Sequence, residues 1–201
     1  MHLWDDKKGY LQIPYKKYAY VKHSSGKHIS LYGDRLNRVT TFDKDDPTLH
    51  ESDIPPMTRF LVDQYTDSDE ASTGHRVMFF DIEVEVTDGF PDVQKAYNPI
   101  TSIALYDCMT EKYFTYCFDP HKRIESYEKD NEVVEFYETE YEMLNQFFQK
   151  YLEIRPTIIS GWNSEFFDIP YLYNRAVRIL GPEIANLMSP ISEVIYSEYK
   201  K

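Results

Sequence analysis

From Arg76 onward the order of apolar and polar positions names a series of elements. RVMFFDIEVEV (76–86), PITSIALYD (99–107) and KYFTYCFD (112–119) are dense in β-branched and aromatic residues, which fit a pleated surface, so each predicts a strand. A short turn at Cys108 to Glu111 joins the second to the third, and strands in such quick succession pair antiparallel. Lys122 to Glu138 reads as a charged, irregular connector. Thr139 with Glu142 then matches a capping box, opening a helix from about Glu140 to Glu153 with Leu144, Phe147, Phe148, Tyr151 and Leu152 on one face and Pro156 beyond its end. TIIS (157–160) predicts a short buried strand stopped by Gly161. Ile169, Leu172, Tyr173, Ala176, Val177 and Leu180 recur at helical spacing from Asp168 until Gly181 and Pro182. The order is β-β-β-α-β-α, an α/β arrangement with a mixed sheet: three antiparallel strands, then a right-handed crossover to a parallel fourth.

Upstream, YKKYAYVKH (15–23) and KHISLYG (27–33) flank Ser24, Ser25 and Gly26 and read as a β-hairpin. DKDDPTLHESDIPPMTR (43–59) is acidic and punctuated by proline, and RFLVDQY (59–65) suits one or two helical turns. TDSDEASTGH (66–75) is polar and small, the best candidate for a boundary. The expected organisation is a small β-rich domain over 1–75 and a second domain over 76–201, with no internal repeat or low-complexity tract.

At 201 residues, 42% hydrophobic and 16% aromatic, the chain can bury a real core. Residues 1–30 contain no continuous apolar run, which supports neither secretion nor membrane insertion and points to a cytoplasm, that of a host cell if the chain is viral. Two cysteines, Cys108 and Cys117, are too few for a disulfide scaffold or a zinc site and read as buried thiols. The net charge of -12 argues against coating nucleic acid through bulk electrostatics, which needs clustered Lys and Arg. The charge is uneven: residues 1–42 hold eight Lys or Arg against three Asp or Glu, and residues 43–75 hold two against nine. The alternation Tyr15, Lys16, Lys17, Tyr18, Tyr20, Lys22 suits stacking and phosphate pairing with single-stranded template, or simply a solvated strand.

Within MFFDIEVEV (78–86), Asp81 and Glu83 stand two residues apart, so they share one strand face with Val77 and Phe79 while Met78, Phe80 and Ile82 point the other way. Two carboxylates on a rigid strand can jointly hold hard cations such as Mg²⁺ or Mn²⁺. Alone, such a pair is more often the wet face of an edge strand. If the pair is inward, bound cations must offset the desolvation of its charge. The second cluster is GWNSEFFDIPYL (161–172). Its Asp168 falls at the N-cap or first turn of the following helix, where the dipole favours a carboxylate and Pro170 costs no hydrogen bond. Capping is the commonest duty of such an Asp, and Trp162 and Phe167 read first as core residues.

Together, FFDIEV (79–84) and the run from Gly161 to Tyr171, which fits G-W-N-x-x-x-F-D-[IV]-P-Y, resemble the first and second exonuclease motifs of B-family DNA polymerases, most closely the branch found in T-even-like tailed phages. GFPDVQKAYNPITSIALYD (89–107) is similar to that family's link between its first two strands, and the segments before Arg76 resemble its amino-terminal domain. The resemblance implies a ribonuclease H-like 3′-to-5′ proofreading exonuclease fold, incomplete at the C-terminus, in which Asp81, Glu83 and Asp168 are three of four acidic ligands for two divalent ions, Mg²⁺ or Mn²⁺. It assigns Asn163 and Phe167 to positioning the 3′-terminal nucleotide or its neighbour. It implies DNA as partner, as a single-stranded 3′ end and a primer-template, together with the remainder of a polymerase in cis or trans and replication accessory proteins.

The family's fourth carboxylate sits in a tyrosine-x-x-x-aspartate motif downstream of the second motif; here the one literal match, Tyr65 to Asp69, precedes the first motif and is read as chance. The resemblance does not extend to the polymerase palm, fingers and thumb. The expectation is therefore an amino-terminal piece of a DNA-directed DNA polymerase, inactive by itself and prone to self-association through uncovered apolar surface. The alternatives are a non-catalytic module for DNA binding or docking, and a complete small nuclease whose fourth ligand comes from Glu183, Glu193 or Glu198.

Overall fold

A computed structural model describes residues 1–5, 7–71, 73–87 and 89–195. The chain divides into two compact units, Met1–Thr73 and Gly74–Lys201.

In the first unit, β1 (His2–Asp5) pairs antiparallel with β2 (Gly9–Gln12). A four-stranded sheet follows, built from β3 (Ala19–Lys22), β4 (His28–Ile29), β5 (Arg35–Val39) and β6 (Leu49–His50), and then α1 (Pro56–Tyr65). The expected hairpin does not form between the stretches 15–23 and 27–33. β3 pairs with β5 and β6, so it is a central strand, and the hairpin is the one between β4 and β5. The cause lies at Ser30, whose hydroxyl accepts from the amides of Tyr32 and Asp34 and turns the chain there. Tyr18 is buried rather than solvated, lying between the guanidinium groups of Arg38 at 3.6 Å and Arg59 at 4.3 Å, with its hydroxyl donating to Asp63 at 2.7 Å.

The second unit holds β7 (Val77–Val84), β8 (Ile100–Asp107), β9 (Lys112–Phe118), β10 (Tyr127–Lys129) and β11 (Glu132–Tyr137), then α2 (Glu140–Ile154), β12 (Ile158–Ser160), α3 (Asp168–Ile179), α4 (Pro182–Ala185) and a 3-10 turn at Asn186–Met188. The sheet is mixed, in the order β10-β11-β9-β8-β7-β12. β7, β8 and β9 are antiparallel neighbours and β12 runs parallel to β7, as the sequence predicts. The segment 122–138, expected to be irregular, instead supplies two strands, and β11 lies parallel to β9. Asp130 and Asn131 form the two-residue turn between β10 and β11, with Asp130 at a φ of 56°, a conformation that Asp adopts more readily than most residues.

One face of the sheet carries the core. Met78, Phe80 and Ile82 of β7, Ile103 and Leu105 of β8 and Tyr116 of β9 pack with Met143, Leu144, Phe147 and Phe148 of α2 and Tyr171, Leu172 and Ala176 of α3. The α2 cap is as expected: the Thr139 hydroxyl accepts from the Glu142 amide at 3.2 Å and donates to the Glu142 carboxylate at 2.9 Å. Cys108 and Cys117 are free and half-buried. Among the described residues no helix is long and apolar enough to cross a membrane.

Candidate active site

The alternation of β7 sends Met78, Phe80 and Ile82 into the core and leaves Phe79, Asp81 and Glu83 exposed. The two carboxylates share a face, as their spacing requires, but that face is the open one. The premise of an inward charged pair is therefore corrected: water solvates Asp81 and Glu83, and the desolvation cost falls elsewhere. Strand register extends this face, with Asp81 beside Ala104 and Thr115, and Glu83 beside Ser102 and Cys117. A β-bulge between Glu83 and Val84 shifts the pairing with β8, so that Val84 meets Ile100. Bulges of this kind increase local twist and re-aim a neighbouring side chain.

The desolvated carboxylate is Asp168, only 3% exposed. It reaches β7 because β12 stops early. β12 covers β7 only from Val77 to Phe79, so the next stretch of that strand edge lacks a ladder partner, and Asp168 Oδ1 accepts the Ile82 amide at 3.3 Å. The turn that delivers it is tight. At Gly161 an added Cβ would stand 2.3 Å from the Phe80 carbonyl oxygen, which leaves room only for glycine. Asn163 follows in the left-handed region with a φ of 58°, and its carbonyl accepts from the amides of Phe166 and Phe167. Asp168 then occupies the first turn of α3, with Phe167 as the N-cap residue.

Burial pushes the Asp168 carboxyl above the usual carboxylate range; the Ile82 amide opposes this, while the negative charges of Asp81 and then Glu83 reinforce it. Asp168 thus senses both strand carboxylates, and the structure brings these three sequence-predicted acids into one electrostatic neighbourhood. Among the described residues none of the three is paired with Lys or Arg. As a donor set, three unpaired carboxylates fit a hard divalent cation in chemistry. In geometry they are not closed around one ion: among the described residues no three His, Cys, Asp or Glu side chains are grouped to hold a metal.

Asn163 is exposed, and Trp162, read first as core, is 92% exposed. Phe167 is half-buried between Tyr171 at 5.4 Å and Phe90 at 5.1 Å. Phe90, in the connector between β7 and β8, escaped sequence reasoning; it is 80% exposed beside Phe167. Its signal was an aromatic between Gly89 and Pro91, in a stretch with no periodicity to bury it. Of the proposed alternative ligands, Glu183 and Glu193 are exposed, and Glu198 lies outside the described residues.

The family model for the exonuclease domain of DNA polymerase family B matches residues 61–198. The chain is similar to the DNA-directed DNA polymerase of Escherichia phage RB69, 33% identical over 138 residues, and to that of Enterobacteria phage T4, 30% identical over 136 residues. These alignments cover 57% and 56% of this chain and 15% of each phage enzyme. DNA polymerase 1 of Saccharolobus solfataricus is 30% identical over 131 residues, covering 65% of this chain and 13% of that protein. The chain therefore spans a minor share of the relatives it matches. With two exonuclease motifs meeting at Asp168 and the Ile82 amide, and with more than half of its length matched by the family model, the chain belongs to the exonuclease-domain family of B-family DNA polymerases.

Proposed function

We propose that this chain contributes the amino-terminal and exonuclease portion of a DNA-directed DNA polymerase, and that Asp81, Glu83 and Asp168 serve hydrolysis of the 3′-terminal phosphodiester of DNA. The observation that carries the reading is the Asp168 carboxylate, buried at a cost and joined to the backbone of the strand that bears the other two acids. A residue needed only to cap a helix would gain nothing from that burial. The unit Met1–Thr73 is assigned to the polymerase amino-terminal domain.

In this reading Asp81 and Glu83, open to solvent, meet the incoming DNA end, and Asp168 closes the site from the core side. Asp81, Glu83 and Asp168 would hold divalent ions, Mg²⁺ or Mn²⁺, which when bound would supply Lewis-acid activation of water and charge stabilisation at the scissile phosphodiester and would offset the negative charge that otherwise repels DNA. The exposed Asn163 and the Phe167 ring, beside Phe90, present an amide and an aromatic edge for the terminal nucleotide. With three of the four carboxylates that the resemblance implies, the 201-residue chain alone is assigned little or no nuclease activity.

The test uses a polymerase carrying this segment and a labelled single-stranded oligonucleotide. Mg²⁺-dependent loss of 3′-terminal nucleotides is expected, abolished by Asp81→Ala. Undiminished digestion by that variant would overturn the assignment. The exposure of Asp81 and Glu83 on an open strand face also suits a second reading, a non-catalytic module for DNA binding or docking to replication partners. It requires DNA binding that survives both a chelator and the loss of Glu83, which a fluorescence titration decides.

A further inference from the structure

Away from the acids, a buried ion pair joins the pieces of chain that carry them. Arg175 and Glu140 are 7% and 8% exposed. The Arg175 fork donates from Nε to Glu140 Oε1 at 2.8 Å and from Nη2 to Oε2 at 2.5 Å, while Nη1 donates to the carbonyls of Ala96 at 3.1 Å and Tyr97 at 2.6 Å. Glu140 Oε1 also accepts the Ile100 amide at 2.8 Å. Ile100 is the β8 residue opposite Val84, on the far side of the bulge at Glu83. Thr101, next to it, donates from its hydroxyl to the Glu83 carbonyl at 3.1 Å. Arg175 lies on the same helix as Asp168, two turns later, and two neighbours on α3 hold the same connector. The Tyr171 hydroxyl donates to the Asn98 carbonyl at 2.9 Å and the Asn174 amide to the Val93 carbonyl at 2.9 Å.

The helix of Asp168 and the strand of Asp81 and Glu83 are thus braced twice. One brace is the direct bond from the Ile82 amide to Asp168; the other runs from Arg175 through Glu140 to Ile100 and the bulge. Fold stability alone does not call for the second brace, because a buried ion pair is often replaceable by apolar residues without loss. A fork gripping a carboxylate and two successive carbonyls does what apolar residues cannot: it fixes the connector's end at one position relative to α3.

We propose that Arg175 and Glu140 are positioning residues that set the spacing of Asp168 against Asp81 and Glu83, and so the affinity of this trio for divalent cations. The inference rests on the exonuclease reading of the three acids.

The experiment is a Mn²⁺ titration of the 201-residue chain followed by electron paramagnetic resonance, well below the melting temperature of each variant. Arg175→Met would leave the Glu140 charge buried without a partner and threaten the fold. Two milder variants are used instead. Arg175→Lys keeps the charge but cannot fork, and the double variant Arg175→Met with Glu140→Gln removes the ion pair while retaining an acceptor for Ile100. Both are expected to keep the parent's circular dichroism and to bind Mn²⁺ at least fivefold more weakly. Affinity within twofold of the parent in whichever variant folds overturns the inference, since a purely structural pair would change the melting temperature and leave ion binding alone. A parent chain whose Mn²⁺ binding is unaffected by Asp81→Ala overturns this inference, whereas the underlying reading falls only with undiminished digestion by the Asp81→Ala polymerase, so the two failures are distinguishable.

Discussion

Asp168 carries a cost that the fold keeps. Its carboxyl is pushed upward, first by burial and then by the charges of Asp81 and Glu83. A carboxyl raised in the folded state contributes stability that is fully present below its unfolded value and lost as pH rises through its folded value, so at neutral pH its ionisation weighs against folding. Asparagine at this position is neutral, and its oxygen can still accept the Ile82 amide at the place where β12 ends. In the presence of a chelator, Asp168→Asn is therefore expected to melt at a higher temperature than the parent at pH 7, with the gap closing as pH falls toward 4 and the parent carboxyl protonates. Calorimetry over that range checks it, and a lower melting temperature for the variant at pH 7 would contradict the electrostatic account. A gain in stability with loss of function is the usual mark of a residue kept for chemistry.

At the scale of elements, legibility followed periodicity. β7, β8, β9, α2 and α3 could be placed because each had a clean period and a cap or breaker at its end, and β12 because Gly161 stops a short apolar run. Thr139 shows how local that information is: its side chain serves the Glu142 amide and carboxylate and nothing more distant. Thr139→Ala is expected to cost about 1 kcal/mol of stability, read from urea denaturation, while leaving Mn²⁺ affinity unchanged. The elements that escaped had no such period. β11 is half-buried along most of its length because it stands near the sheet edge under α2, so EVVEFY shows no two-residue alternation, and its charges imitate a loop. β5 escaped because RLNRV alternates polar and apolar only weakly, although Leu36 is buried. The candidate site divides the same way. Asp81, Glu83 and Asp168 could be read from motif spacing, but which of them is desolvated depends on where β12 stops. The Arg175–Glu140 brace joins residues 35 apart and leaves no local signal.

Across the whole molecule, eighteen tyrosines in a chain of net charge -12 make the alkaline limit of stability specific. In the first unit, burial raises the Tyr18 hydroxyl to about 12, helped by its bond to Asp63 and opposed by Arg59. In the second unit, burial raises the Tyr151 hydroxyl to about 12; it donates to the Met188 carbonyl at 2.8 Å. Burial also pushes Tyr116 and Tyr137 upward, with the Glu135 carboxylate adding to both. Each folded value exceeds the unfolded one near 10, so the stability these groups confer is complete below pH 10; that of Tyr18 and Tyr151 is lost as pH rises through about 12, and that of Tyr116 and Tyr137 only at higher pH. For Tyr18 and Tyr151 the loss is on the order of 2 kcal/mol each. Because such a tyrosine sits in each unit, both units are expected to weaken over the same interval, while the growing negative charge adds self-repulsion. Melting temperatures from pH 8 to pH 12, with phenolate absorbance at each step, test this. A melting temperature that fell steeply below pH 10, before the phenolate signal rose, would mean that these buried hydroxyls do not set the alkaline limit.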